Sequence, residues 1–547
     1  MGRASPWVIG LCFLLALVYL ATGVFPFAPM ESDGNHIANG VTQMLSGEPP
    51  QNPFSYRYEA QSGTYWLLYW ASRLWHLPLF DTFCILSAIG ALTFVLTASL
   101  AVARVSNRPF ALVGLGLLSL QEVWTSAYYP NSNILAAAFL FGGTLLAVLV
   151  PSSALLIPAG LLLGLSVWMR FDALLMLPVL PLLIHRGLWK ETFWRSVWLG
   201  SIVALTILVT LNVSKVTLSE IFESSQSHFR MKAATTPGLG IPWLGDSNVK
   251  SHLAYFPLFF VVLLFWGFLC AVLTHRWRVV GGFLLGVLPL YLTYLGDLTT
   301  PKYLLYAAPF FVWLALEGAY SFSQHLGKWR FLVVLLGLLV LGQYVLGLRL
   351  RFVSKPYYYP AEPTFARLFR ISLPFSSIDE LSVVVGAGAR ISTVDRDRLF
   401  SGIFFAPLMW RTQKVHLNQV LDQLAQRIMQ SPRNPVYLLV DEDDPLQQAL
   451  VFLFRWGYRC DRTSSQEPYL YSCWGEDVPS IMLMDIRGNP RREANVLAEN
   501  LAELNLDHWY FIVTAPWQEY LIDRYFSAHP QWRVEKLGFL VYEFESR

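Results

Sequence analysis

Apolar residues in this chain run in long, nearly unbroken stretches. A bilayer hydrocarbon core takes about 20 apolar residues per helix. Stretches of that kind lie near 7–25, 82–103, 109–125, 131–150, 154–169, 172–184, 196–213, 253–274, 279–295, 303–320 and 330–348. They predict a polytopic α-helical membrane domain over residues 1–348, with about 11 spans. The first stretch follows Arg3 and reads as a signal anchor, because no small-x-small cleavage site follows it. The pattern changes at 349. KPYYYPAEPTF is a proline-rich hinge. Beyond it the short runs LSVVVGAG, PVYLLVDED, HWYFIVTA and GFLVYEF read as strands. They alternate with helical stretches LNQVLDQLAQRIMQ, DPLQQALVFLFRWG and WQEYLIDRYFSAHP. That alternation predicts a soluble α/β domain over 349–547.

Two further segments carry helical patterns without the length of a span. Segment 34–46 places Ile37, Val41, Met44 and Leu45 on one helical face. Segment 63–77, GTYWLLYWASRLWHL, has the aromatic load of an interfacial helix. Both fit helices at the membrane boundary, and both fit walls of a groove for a lipid-linked substrate.

Composition agrees with the pattern. Only 14% of residues are charged and 54% are hydrophobic, against about 25% charged in soluble domains. A net charge of +3 is too small to point to a nucleic-acid partner; the bilayer is the partner this composition implies. With the N-terminus cytoplasmic, the inside loops hold Arg3, Arg104, Arg108, Arg186, Lys190, Arg195, Arg276, Arg278, Lys328 and Arg330. The outside loops hold fewer basic residues, which is the positive-inside asymmetry. An odd number of spans then leaves the α/β domain outside. Acids are also skewed: on this topology only Glu191 and Glu317 of the membrane domain fall inside.

The outer loops hold the candidate chemistry. In the first, Glu31 and Asp33 follow the opening span. Asp33 stands before Gly34 and Asn35, so it reads either as a helix cap or as a general base at the membrane surface. In the second, QEVWTSAYYPNSN, Pro130 and the asparagines account for a turn. Glu122 and Tyr128 crowd that turn, and an acid at a membrane helix end is costly enough to suggest function. In WMRFDALL, Arg170 and Asp172 interrupt an apolar stretch; they either pair with each other or meet substrate. In LGDLTTPKYLLYAAPFF, Asp297 and Lys302 flank a turn. Lys302, beside Tyr303, reads either as a snorkelling lysine or as a point charge for a phosphate.

The order of these features resembles the GT-C superfamily of membrane glycosyltransferases, in particular the branch of protein O-mannosyltransferases and lipid A aminoarabinose transferase. The resemblance rests on the span pattern, the first-loop acids, the amphipathic helix ending MLSGEPP, the turn with Glu122 and the late PKYLLYAAP entry, and covers roughly 1–348. It implies a polyprenyl-phosphate sugar as donor and a lipid, glycan or protein as acceptor. It makes Asp33 the catalytic carboxylate with Glu31 beside it, although the family order is Asp followed directly by Glu. It makes Lys302 the group on the donor phosphate, and puts Glu122 near acceptor or metal. It also implies a bacterial inner (plasma) membrane. No WWD motif is present, which argues against oligosaccharide transfer to asparagine. A divalent ion is compatible with this chemistry, but no His or Cys cluster has zinc spacing. A flippase of lipid-linked sugars and a non-catalytic scaffold are the rival readings. The first predicts acids deep within spans and inverted repeats; the second leaves the outward acids without a role.

In the tail, VVVGAGARIS lacks the GxGxxG spacing of a dinucleotide site. Asp441, Glu442, Asp443 and Asp444 follow a strand and read as a solvated turn or a cation site. Cys460 and Cys473 flank a polar turn between two strand-like runs, and an external domain permits the disulfide we expect there. The tail shows no catalytic constellation; acceptor recognition, or a lid over the membrane site, is the role its predicted side suggests.

Overall fold

The computed structural model describes residues 6–28, 32–50, 58–128, 130–149, 156–185, 187–224, 258–293, 301–325, 350–351, 370–371, 407–440, 443–463, 469–485, 507–512, 532–538 and 541–546. The expected span at 330–348, the hinge, and the runs LSVVVGAG and WQEYLIDRYFSAHP lie outside these residues. The chain forms two compact units. One comprises Met1–Phe25, Arg57–Ser392 and Ser401–Met409; the other comprises Pro26–Tyr56, Thr393–Phe400 and Trp410–Arg547.

The first unit is helical. Its elements are α1 (Pro6–Gly23), α3 (Tyr58–Trp75), α4 (Leu79–Ser106), α5 (Phe110–Leu117), α6 (Gln121–Tyr128), α7 (Ser132–Leu149), α8 (Leu156–Met169), α9 (Leu180–Ile184), α10 (Trp189–Ser214), α11 (Leu258–Leu273), α12 (Trp277–Thr293) and α13 (Ala308–His325). Among the described residues, four helical stretches are long and apolar enough to cross a membrane: Leu79–Ser106, Ser132–Leu149, Trp189–Ser214 and Leu304–Phe322. Shorter apolar helices lie at most of the other expected positions, and the chain is a membrane protein.

Helices in lipid associate through close packing rather than water exclusion. The crossing of α11 and α13 shows this. A Cβ on Gly267 would stand 2.1 Å from the Leu314 carbonyl oxygen, and one on Gly318 2.1 Å from that of Leu263. Only glycine lets these two backbones approach so closely.

Two expected spans differ in the structure. The stretch 109–125 is not one helix but α5 and α6. Ser119 Oγ donates to the Gly116 carbonyl at 2.6 Å and the Trp124 indole N–H to the Leu118 carbonyl at 2.7 Å. These side chains satisfy carbonyls that a continuous helix would have used, so a turn persists in an apolar run. The stretch 172–184 is a 3₁₀ segment, Phe171–Val179, followed by α9. Pro178 within it has no N–H to give a longer helix. Arg278 completes the end of α9, donating from Nε to the Leu182 carbonyl at 3.0 Å and from Nη2 to that of Leu183 at 2.7 Å.

The second unit is built on a seven-stranded sheet. Its strands are β3 (Val436–Val440), β4 (Arg459–Arg462), β5 (Tyr469–Trp474), β6 (Ile481–Asp485), β7 (His508–Ile512), β8 (Trp532–Gly538) and β9 (Val541–Ser546); β1 (Leu350–Arg351) and β2 (Arg370–Ile371), which fall within the first unit, form a separate two-stranded pair. The order is β4-β5-β6-β3-β7-β9-β8. Only β6, β3 and β7 run parallel, and antiparallel strands flank them on both sides. Leu438, Leu439 and Val440 are fully buried, as expected for a central strand covered on both faces. Leu446, Ala449 and Leu450 of α15 (Asp443–Arg455) and Leu421, Leu424 and Ile428 of α14 (Pro407–Met429) join the same core. Asp443 and Asp444 open α15. Cys460 and Cys473 face each other across the β4–β5 pair and are disulfide-bonded.

The sheet unit also contains α2 (Ser32–Leu45), which packs against α15. Ile37, Val41 and Met44 are buried, and Leu45 is half-buried. Just ahead of α2, the Phe27 carbonyl accepts a 2.8 Å hydrogen bond from Asn418 Nδ2, and Ala28 enters the sheet-unit core.

Candidate functional site

At one end of the helical unit a run of polar side chains is buried where four elements meet. Arg170 begins it. Its backbone is extended (φ −160°, ψ 118°) between α8 and the 3₁₀ segment, although its N–H still donates to the Ser166 carbonyl at 3.0 Å. The side chain turns inward and its Nε donates to Asp172 Oδ2 at 2.8 Å, with both partners largely buried. Arg170 Nη1 donates to Ser132 Oγ at 3.1 Å, and Ser132 in turn donates to Gln61 Oε1 at 2.7 Å. Tyr306, on the 3₁₀ segment Pro301–Ala307, reaches the other Asp172 oxygen at 3.4 Å.

Local backbone features aim these groups. Gln61 departs from helical geometry inside α3 (φ −145°, ψ 26°). Asn131 Oδ1 accepts the Asn133 N–H at 2.9 Å, an Asx turn that starts α7. Thr64 Oγ1 donates to the Met169 carbonyl at 3.0 Å, holding α3 against the end of α8. Arg170 and Asp172 thus pair with each other, and Arg170 also holds Ser132.

A second cluster lies toward the other end. Glu317 Oε2 accepts from Arg108 Nη2 at 3.0 Å and from Arg276 Nη1 at 2.6 Å. The Arg108 guanidinium lies 3.5 Å from the centre of the Tyr320 ring, a cation–π contact. Helix α13 separates the clusters: Tyr306 of the first lies two residues before its start at Ala308, and Glu317 lies nine residues beyond that start, about 14 Å along at 1.5 Å per residue. Arg108, Arg195, Arg276, Arg278 and Glu317 are all residues that the positive-inside pattern assigns to one side.

The remaining sequence candidates are placed as follows. Asp33 is in the first turn of α2, in the sheet unit, and is 9% exposed; Asn35, His36 and Asn39 on the same helix are buried too. Glu122 stands in the first turn of α6 and Tyr128 is its last residue. Lys302 and Tyr303 belong to the 3₁₀ segment that carries Tyr306. For these four the backbone alone is described. Glu31 and Asp297 lie outside the described residues. Among the described residues no group of three or more His, Cys, Asp or Glu side chains converges as a metal site. Gln61 and Ser132 were not singled out by the sequence; the polar break QSGT ahead of an aromatic run was the one local sign of the first.

No family model matches the chain, and no curated protein matches it. Among solved structures, ArnT from Cupriavidus metallidurans bound to undecaprenyl phosphate is similar over 99% of this chain and 98% of that one, at 14% identity and a TM-score of 0.50. The apo form of the same protein matches over the same shares at 14% identity and 0.48. An oligosaccharyltransferase of Archaeoglobus fulgidus matches over 82% of this chain and 63% of that one, at 11% identity and 0.42. ArnT and the oligosaccharyltransferase are both GT-C superfamily members. The likeness to ArnT is one of fold, and it extends beyond the membrane domain to which the sequence resemblance was confined.

Proposed function

We propose that this chain is an inverting glycosyltransferase that moves a sugar from a polyprenyl-phosphate donor to an acceptor hydroxyl at the outer face of a bacterial inner membrane. The observation that carries the reading is the buried network of Gln61, Ser132, Arg170, Asp172 and Tyr306. It ties the segment bearing Lys302 to the starts of α3 and α7 in a chain with this fold.

The proposed chemistry is a single displacement. Asp33 takes the proton of the acceptor hydroxyl, whose oxygen attacks the anomeric carbon. The bond from that carbon to the phosphate oxygen breaks, and polyprenyl phosphate leaves with the electron pair. Lys302, with Tyr303 beside it, meets the phosphate and stabilises its developing charge. Arg170 and Asp172 are positioning residues: their ion pair, through Tyr306, holds the Lys302 segment in place. Glu122, Tyr128 and Asp297 are assigned to substrate binding, and Glu31 to a role beside Asp33. ArnT has been seen with undecaprenyl phosphate, which makes that lipid the first donor carrier to try.

The test is transfer from a panel of radiolabelled undecaprenyl-phosphate sugars by the purified full chain, with and without divalent ions and a chelator. Asp33→Asn is expected to lose about 100-fold or more in rate, as for removal of a general base. Equal transfer by wild type and Asp33→Asn removes Asp33 from the mechanism. No transfer from any lipid-phosphate sugar sinks the reading as a whole.

A further inference from the structure

Two side chains beside the Arg170 network stand apart from its bonding. Asn133, the second residue of α7, is 1% exposed, and neither its Oδ1 nor its Nδ2 has a hydrogen-bond partner among the described residues. Ser62, equally buried, has an Oγ in the same condition. Each is the chain neighbour of a network member, and those members, Ser132 and Gln61, bond to each other at 2.7 Å. Asn133 and Ser62 thus lie on the two helices, α7 and α3, that the Ser132–Gln61 bond joins.

Burying such groups without partners is unfavourable, and more so in a membrane helix bundle. Helix capping does not explain Asn133. The cap is supplied by Asn131, whose Oδ1 takes the Asn133 backbone N–H, and the Asn133 side chain adds nothing to it.

We infer that Asn133, assisted by Ser62, recognises a hydroxyl of the sugar being transferred. The inference rests on the function proposed above. The chemistry selects the ligand group. A carboxamide offers two donors and an acceptor. A phosphate, which only accepts, leaves Oδ1 unmatched; a sugar hydroxyl both donates and accepts and can match both ends.

The experiment compares the donor that serves the wild type with sugar-free undecaprenyl phosphate as a competitive inhibitor, using Asn133→Ala and Asn133→Ser in the full chain. The expected result is a donor KM raised on the order of 10-fold in Asn133→Ala, with inhibition by the sugar-free lipid unchanged. An unchanged KM, or equal weakening of both lipids, overturns the inference while leaving the proposed function standing. If both variants fail to fold, the wild type decides: donor binding no tighter than that of undecaprenyl phosphate also overturns it. A wild type that transfers from no lipid-phosphate sugar fails at the earlier step, and the inference falls with it.

Discussion

Arg170 and Asp172, two residues apart, close a 2.8 Å ion pair that is almost wholly buried, and the same arginine holds Ser132 from a helix 38 positions away. Removing one partner strands the other charge. Arg170→Ala is therefore expected to lower stability by about 3–5 kcal/mol, and Arg170→Met with Asp172→Leu by less than Arg170→Ala alone. Thermal unfolding of the purified chain in detergent ranks the variants. If Arg170→Ala unfolds like wild type, the pair has no structural role.

Glu317 is shared unequally between its two arginines. The Arg276 side chain is 55% exposed and that of Arg108 only 13%. Exposed pairs contribute about 0–1 kcal/mol, so Arg276→Ala should be mild. Arg108→Ala also loses the Tyr320 contact and should cost clearly more. Glu317→Ala, which leaves Arg108 buried without its carboxylate, should be worst of the three in the same unfolding assay.

The α11–α13 crossing admits no side chain at its closest point. Gly318→Val is expected to cost about 1–3 kcal/mol through forced separation of the helices. Gly200, with open space around its Cβ position, is the control: Gly200→Ala should leave the unfolding temperature unchanged or slightly raised.

The sheet unit should weaken in alkali. Burial first, and then the neighbouring Glu543 carboxylate, push the Tyr510 phenol well above its ordinary value; burial raises that of Tyr458 as well. An unfolded tyrosine ionises near pH 10, whereas these stay protonated in the folded chain. The folded state then binds more protons, so their contribution is fully present below about pH 10 and is lost as pH rises beyond it. Unfolding midpoints at pH 8, 10 and 11 should fall in wild type and fall less in Tyr510→Phe. An identical slope in both would rule out Tyr510 as a source.

The disulfide closes a separation of 13 residues, for which chain entropy gives about 3 kcal/mol. Cys460→Ser with Cys473→Ser should lower the stability of the sheet unit by about that amount at most. Reductant should reproduce the loss in wild type and have no effect on the double variant.

Sequence alone determined whatever depends on near neighbours. Long apolar runs marked α1, α4, α7, α10 and α13; strand-like periodicity marked β3, β7 and β9; and two runs flanking a polar turn placed Cys460 opposite Cys473. These features repeat every few residues, so a short window contains them. The tertiary structure decided the rest. It divided 109–125 into two helices through Ser119 and Trp124, and placed α2 with the sheet unit through Asn418 and α15. Tertiary packing also joined Arg170 and Asp172 to Gln61, Ser132 and Tyr306. The physical reason is separation: the Ser132–Gln61 bond spans 71 positions and the Tyr306–Asp172 contact 134, and no local pattern records which polar groups packing will bury together.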